Sequence, residues 1–173
     1  MDSIDFSTFS LSKLRDFKTI GGKFCFINPA LIVDFPVSTV KYDVNFEENK
    51  PTLVVNFTNK YLISFTESLK SRVIDLVYNK KIYNVSKETL NEFYVSPIKL
   101  IKNKEFMKLK MIFREIKTVS KGMRVKPKVH VSGMWFSESS FGCYFNVVNL
   151  DLIENVKKPL FLEDSESEIE INV

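Results

Sequence analysis

The chain has little of what bends, crosslinks or metallates a backbone: five glycines, six prolines, two cysteines and one histidine in 173 residues. So few glycines and prolines exclude collagen-like, linker and low-complexity readings. Cys25 and Cys143 have neither CxxC spacing nor neighbouring histidines. They read as small buried core residues in a reducing, intracellular compartment, with a disulfide the lesser option. A lone His130 excludes a His-rich metal site or a two-histidine dyad. No apolar run approaches the roughly 20 residues of a membrane helix, so no membrane partner is expected. The acidic start, Met1-Asp-Ser-Ile-Asp, lacks the basic lead of a secretory signal. GxSxG, GxxxxGK[ST] and GxGxxG are missing, and the carboxylates ahead of the C-terminus are scattered. The expectation is a non-enzyme with no cofactor and no metal; a metal-dependent nuclease is the best enzymatic alternative.

What is abundant is phenylalanine, sixteen residues, in a chain that is 45% apolar. A large core is therefore available, and global disorder is excluded. The size fits one domain, 1–158, followed by a tail, 159–173.

Charge is unevenly placed. Residues 99–128 hold eleven Lys or Arg against Glu105 and Glu115, a net +9, while the whole chain carries +4. The tail holds five acids (Glu163, Asp164, Glu166, Glu168 and Glu170) and no base. A basic middle and an acidic end point to a polyanion partner, with the tail as an internal competitor or a docking element. The plain alternative for the tail is a flexible, solubilising end. Its alternating Ile169, Ile171 and Val173 could also add a strand to an exposed edge.

Periodicity predicts mostly strands. Residues 1–20 read as a short helix or an extended arm, and 23–27 and 39–46 as strands. Residues 52–57 and 61–65, separated by Thr58-Asn59-Lys60, read as a hairpin. A helix is predicted after Thr66 as N-cap, burying Leu69, Val73, Leu76 and Val77. A second, short helix is predicted from Ser86 to about Tyr94, ahead of Pro97. In 106–117, Met107, Leu109, Met111 and Phe113 alternate with Lys108, Lys110 and Arg114. In 123–136, Val125, Val129, Val131 and Trp135 share one face, while Arg124, Lys126, Lys128, His130 and Phe136 share the other. A third strand, 141–150, follows the turn 137–140. Pro127 predicts an edge position or a bulge.

Sequential strands usually lie side by side, so 106–117 and 123–136 are expected to present one shared basic face. Such a face cannot be core, because buried unpaired charge costs several kcal/mol. A merely soluble face would mix both signs, whereas single-sign charge suits phosphate neutralisation. Trp135, Phe136, Phe141, Tyr144 and Phe145 cluster at the 137–140 turn, where rings could stack on unpaired bases. Their plain alternative is core packing. Gly133 and Gly142 bracket that turn and allow a bend or a close approach. The fold class these patterns predict is mainly β (α+β), a small β-barrel with one or two inserted helices.

The stretch 129–148 resembles the strand–turn–strand of OB-fold single-stranded-DNA-binding proteins of DNA viruses, phages and linear replicons. There a G-x-W on one strand is followed, after a short polar turn, by aromatic-Gly-x-aromatic on the next. The matching positions are Gly133, Trp135, Gly142 and Tyr144. The resemblance spans about 105–150 plus the tail, although this tail ends in Val173 rather than an aromatic residue. It implies an OB-like barrel that coats exposed single strands during replication, recombination or repair. It also implies a tail that recruits replication proteins, and a location in the cytoplasm or nucleus of a host cell. On this reading Lys108, Lys110, Arg114, Lys117, Arg124, Lys126, Lys128 and His130 meet phosphates, and Trp135, Phe136, Phe141 and Tyr144 are the candidate stacking rings. RNA binding, or a protein–protein adaptor or virion component, are the alternatives, and homo-oligomerisation stays open.

Overall fold

The computed structural model describes residues 4–5, 14, 16–20, 23–26, 31–46, 51–56, 60–101, 104–112 and 118–153. The acidic tail, Arg114 and Lys117 lie outside them. Ten strands and two helices are described: β1 (Ile4–Asp5), β2 (Phe17–Ile20), β3 (Lys23–Phe26), β4 (Leu31–Asp34), β5 (Ser38–Val40), β6 (Thr52–Asn56), α1 (Lys60–Asn79), α2 (Lys87–Phe93), β7 (Ile98–Ile101), β8 (Lys104–Met111), β9 (Arg124–Phe136) and β10 (Phe141–Ile153).

Five strands close a barrel. β5 pairs with β6, β6 with β8, β8 with β10, β10 with β9, and β9 returns to β5. Numbered along the chain, the circuit runs first, second, third, fifth, fourth and back to first. The third and fifth strands are parallel, through Asn146 opposite Lys110 and Val147 opposite Met111. The result is an OB-like small barrel with inserted helices, mainly β as the periodicity predicts. Both helices fall between the second and third barrel strands.

β9 organises the sheet. One edge carries β10 along its whole length, and the other meets β3, β4 and β5 in turn. Pro127 sits where that partner changes from β4 to β5, and its carbonyl accepts from the Phe35 N–H at 2.8 Å. A missing N–H is tolerable at such a break. Directly beside it Val148 of β10 is the extra residue of a bulge, since Val147 faces Val129 and Asn149 faces Lys128.

The core follows the alternation. Met107, Leu109 and Met111 of β8 point inward, as do Val125, Val129 and Val131 of β9. They join α1, whose Leu62, Phe65, Leu69, Val73, Leu76 and Val77 recur at helical spacing and are buried in the same cluster. Each such burial stabilises the fold by about 1.5–3 kcal/mol.

Several expectations are corrected. Residues 61–65 are not the second arm of a hairpin but the first turns of α1, because Leu62 and Phe65 continue the helical stripe while Tyr61 stays 69% exposed. Thr66 is therefore inside the helix rather than its N-cap, and its hydroxyl donates to the Ile63 carbonyl at 2.8 Å. Nor do β8 and β9 adjoin: β10 lies between them, inserted by its parallel pairing with β8. Around residue 40 the strand is shorter than expected, covering only 38–40. Residues 4–5 and 17–20 are extended, and most of the 1–20 segment expected as a helix or arm lies outside the described residues. α2 matches its prediction. Ser86 is its N-cap, accepting from the Thr89 N–H at 3.3 Å, and Tyr94 caps the other end.

Candidate nucleic-acid interface

Residues paired across antiparallel strands share a face, so the β9/β10 register assigns every ring and cation of the hairpin. From the open end upward, the outward rows are Arg124/Ile153, Lys126/Asp151, Lys128/Asn149 and His130/Asn146. Then the register slips: Val131 faces Phe145 while Gly133 faces Tyr144, leaving Ser132 as an extra residue. A one-residue bulge exchanges the two faces of a strand. Beyond it the outward rows are Gly133/Tyr144 and Trp135/Gly142, and the inward rows are Met134/Cys143 and Phe136/Phe141.

Strict alternation had put Trp135 with the valines and Phe136 with the basic residues, and the Ser132 bulge reverses both. Trp135 is half-buried on the outer face, and Tyr144 beside it is 36% exposed. Phe141 is fully buried and unavailable to a base. Phe136 packs against the core, with its ring centroid 4.6 Å from that of Phe24 and 5.9 Å from that of Phe141. Those two candidates therefore belong to an aromatic wedge beneath the turn, with Phe17 and Tyr83. Tyr83 also fixes the turn itself. Its hydroxyl lies 2.6 Å from the Ser137 carbonyl and 2.9 Å from that of Ser140, donating between them. Partial burial pushes the Tyr83 phenol above its usual range, so this donor keeps its proton at neutral pH.

On the outer face a groove of 280 Å³ opens where β8 changes neighbour. Lys104–Met107 of β8 pair with β7, and Lys110 and Met111 pair with β10 on the same edge. Lys108 falls in the gap between. The groove is walled by the approach to β7, Val95 to Pro97 with Lys99, and by Cys143 to Asn146 of β10. Lys108 and Lys110 project from β8, Thr52 from β6, and Trp135 closes one end. Three lysines and two accessible rings thus meet in one concavity, and none of the described residues lining it is a carboxylate.

The remaining cations divide by location. Lys128 is half-buried, with its Nζ 3.9 Å from the Asp34 carboxylate. Lys126 stands directly opposite Asp151, so this part of the outer face carries both signs. Arg124 is exposed at the far end of β9. His130 lies in the row Lys110, Asn146, His130, and burial holds its imidazole below its ordinary pKa of 6.5. It is therefore neutral at pH 7 and adds no charge. The expected shared basic face of two adjoining strands resolves into a lysine-lined groove at β8 and a stripe of mixed charge on β9.

Sequence reasoning did not single out Lys99, Thr52, Val95 to Pro97 or Asn146. Lys99 lies in the basic segment and carried a usable signal, whereas the others depend on the β7/β10 divergence. Cys143 reaches the groove wall, but burial pushes its thiol up to about 12, so it is no thiolate nucleophile at neutral pH. Among the described residues, no three His, Cys, Asp or Glu side chains gather as a metal site, and no helix is long and apolar enough to cross a membrane.

Comparison with protein-family models, curated proteins and solved structures gives no match. The functional reading therefore stands on the geometry of this groove.

Proposed function

We propose that this chain is a single-stranded-DNA-binding protein of the OB type, which coats exposed strands during replication, recombination or repair. One observation carries the reading: Lys99, Lys108, Lys110, Trp135 and Tyr144 line a single groove with no carboxylate among its described lining residues. Unpaired nucleic acid needs a cationic track for phosphates and open ring faces for bases, with each stacked base worth about 1–3 kcal/mol. The location agrees as well, since OB barrels bind oligonucleotides on the face of strands two and three and on the loop joining strands four and five. Here those strands are β6 and β8, and that loop is the 137–140 turn.

Base specificity is low on this reading, because stacking and phosphate contacts do not read base edges. The acidic tail is assigned a docking role toward replication proteins on the strength of its charge alone. Single-stranded RNA offers the same chemistry, and competition between DNA and RNA oligomers of one sequence separates the two. Trp135 is the only tryptophan, so its fluorescence reports on the groove without labelling. Quenching by an oligothymidylate at low salt is the expected result. No change in emission, with no retardation of the oligomer in a gel, overturns the reading in favour of a protein–protein adaptor.

A further inference from the structure

Phe106 is 8% exposed, yet among the described buried apolar side chains it alone stands outside the continuous core cluster. The register explains this. Phe106 is two residues from Lys108 and so shares its outward face. Its cross-strand partners are Asn56 on β6 and Lys99 on β7. The ring lies on the outside of the barrel, apart from that core. The Lys41 ammonium lies over it, 3.7 Å from the Phe106 ring centroid and 5.0 Å from that of Tyr42. Lys41 is anchored by its backbone N–H, which donates to the Val54 carbonyl at 2.8 Å, and Val54 faces Lys108.

We propose that Phe106 is a second base-stacking platform, covered by the Lys41 side chain until a nucleotide of the bound strand displaces it. The inference rests on the single-strand reading above and extends the same site by one subsite. Three features support it. A cation over a ring as covered as this one is held by about 2 kcal/mol, within the range of about 1–3 kcal/mol that a stacked base supplies. Lys41 is half-buried at the barrel surface, so a change of its rotamer uncovers the ring without movement of the barrel. Finally, Lys99 and Lys108 flank Phe106 and also line the groove, so a strand stacked at Trp135 runs directly toward Phe106. There the displaced Lys41 ammonium meets that nucleotide's phosphate.

The test is photocrosslinking of the full chain to a 5-iodouracil-substituted oligothymidylate of about ten nucleotides, within the range one OB fold covers, with adducts mapped by mass spectrometry. The expected adducts fall on Trp135 or Tyr144 and also on Phe106. Phe106→Leu is expected to weaken binding roughly five-fold or more, the loss of one stacked base, and Phe106→Tyr retains the adduct at that position. The mapping uses the unaltered chain, so it stands even if a variant folds poorly. Adducts confined to Trp135 and Tyr144 overturn the second platform while leaving the groove intact. A wild-type chain that forms no complex at low salt overturns the single-strand reading itself, and this inference with it.

Discussion

The indole of Trp135 lies flat against Gly142 on the neighbouring strand: a β-carbon built there would stand 2.9 Å from Trp135 Cζ2 and 3.0 Å from its Cε2 and Nε1. Glycine is required at 142 by this close approach, and the φ at that position is not left-handed. The opposing Gly142 seats one face of the indole, which is thereby held at the end of the groove.

Gly142→Ala is accordingly expected to lift the ring from its seat. Overpacking of this kind costs on the order of 1–3 kcal/mol unless the ring moves away. The expected outcome is a red-shifted Trp135 emission with weaker oligothymidylate binding. Emission identical to wild type would mean that the seat does not position the ring.

Charge removal should distinguish the two groups of cations. Lys108→Ala and Lys110→Ala each remove an ammonium for which no ion pair is found among the described residues, so each is expected to lower the salt slope by about 0.7, the share of one phosphate on a single strand. Lys126→Ala and Lys128→Ala are expected to change it less, since Asp151 stands opposite the first and Asp34 lies 3.9 Å from the second. Equal effects at all four positions, measured by fluorescence titration, would restore the undivided basic face.

Tyr83→Phe deletes the hydroxyl that ties the 137–140 turn to the segment between α1 and α2. A loss of about 0.5–1.5 kcal/mol is expected, together with faster amide exchange at Ser137, whose N–H donates to the Ser140 carbonyl at 2.8 Å. Unchanged exchange would show that the aromatic wedge fixes the turn without it.

The single histidine gives a pH signature of definite sign. Burial depresses the folded pKa of His130 below 6.5, so the unfolded chain takes up the proton first as pH falls. Stability is full above about 6.5 and declines as pH drops through the lower folded value. Melting temperature should fall over that window in the wild type and less so in His130→Gln, with NMR of the lone imidazole giving the folded pKa. A His130 pKa above 6.5 would contradict the burial described.

Much of this was legible in the sequence because it is local. The two-residue alternation in β8 and β9 gave the inward valines, leucine and methionines and the outward Lys108 and Lys110, and Ser86 marked α2 by its capping chemistry. What was not legible depends on pairing between distant segments. The parallel contact of β8 with β10 separates β8 from β9 and creates the groove, and no periodicity announces it. The Ser132 bulge exchanges Trp135 with Phe136; Gly133 beside it marked a place where the strand could bend, but not that the two faces exchange there. Tyr61 to Phe65 read as a strand because the run is aromatic and β-branched. Its place in α1 is decided by the stripe that continues from Leu62 and Phe65 into Leu69 and Val73.

The central claim is that unpaired DNA lies in the lysine-lined groove beside Trp135, and the salt dependence of Trp135 quenching by oligothymidylate tests it most directly. With Lys99, Lys108 and Lys110 each neutralising a phosphate, log affinity should fall linearly with log salt at a slope near −2, about −0.7 per contact. Affinity that stays flat between low and moderate salt would contradict the claim.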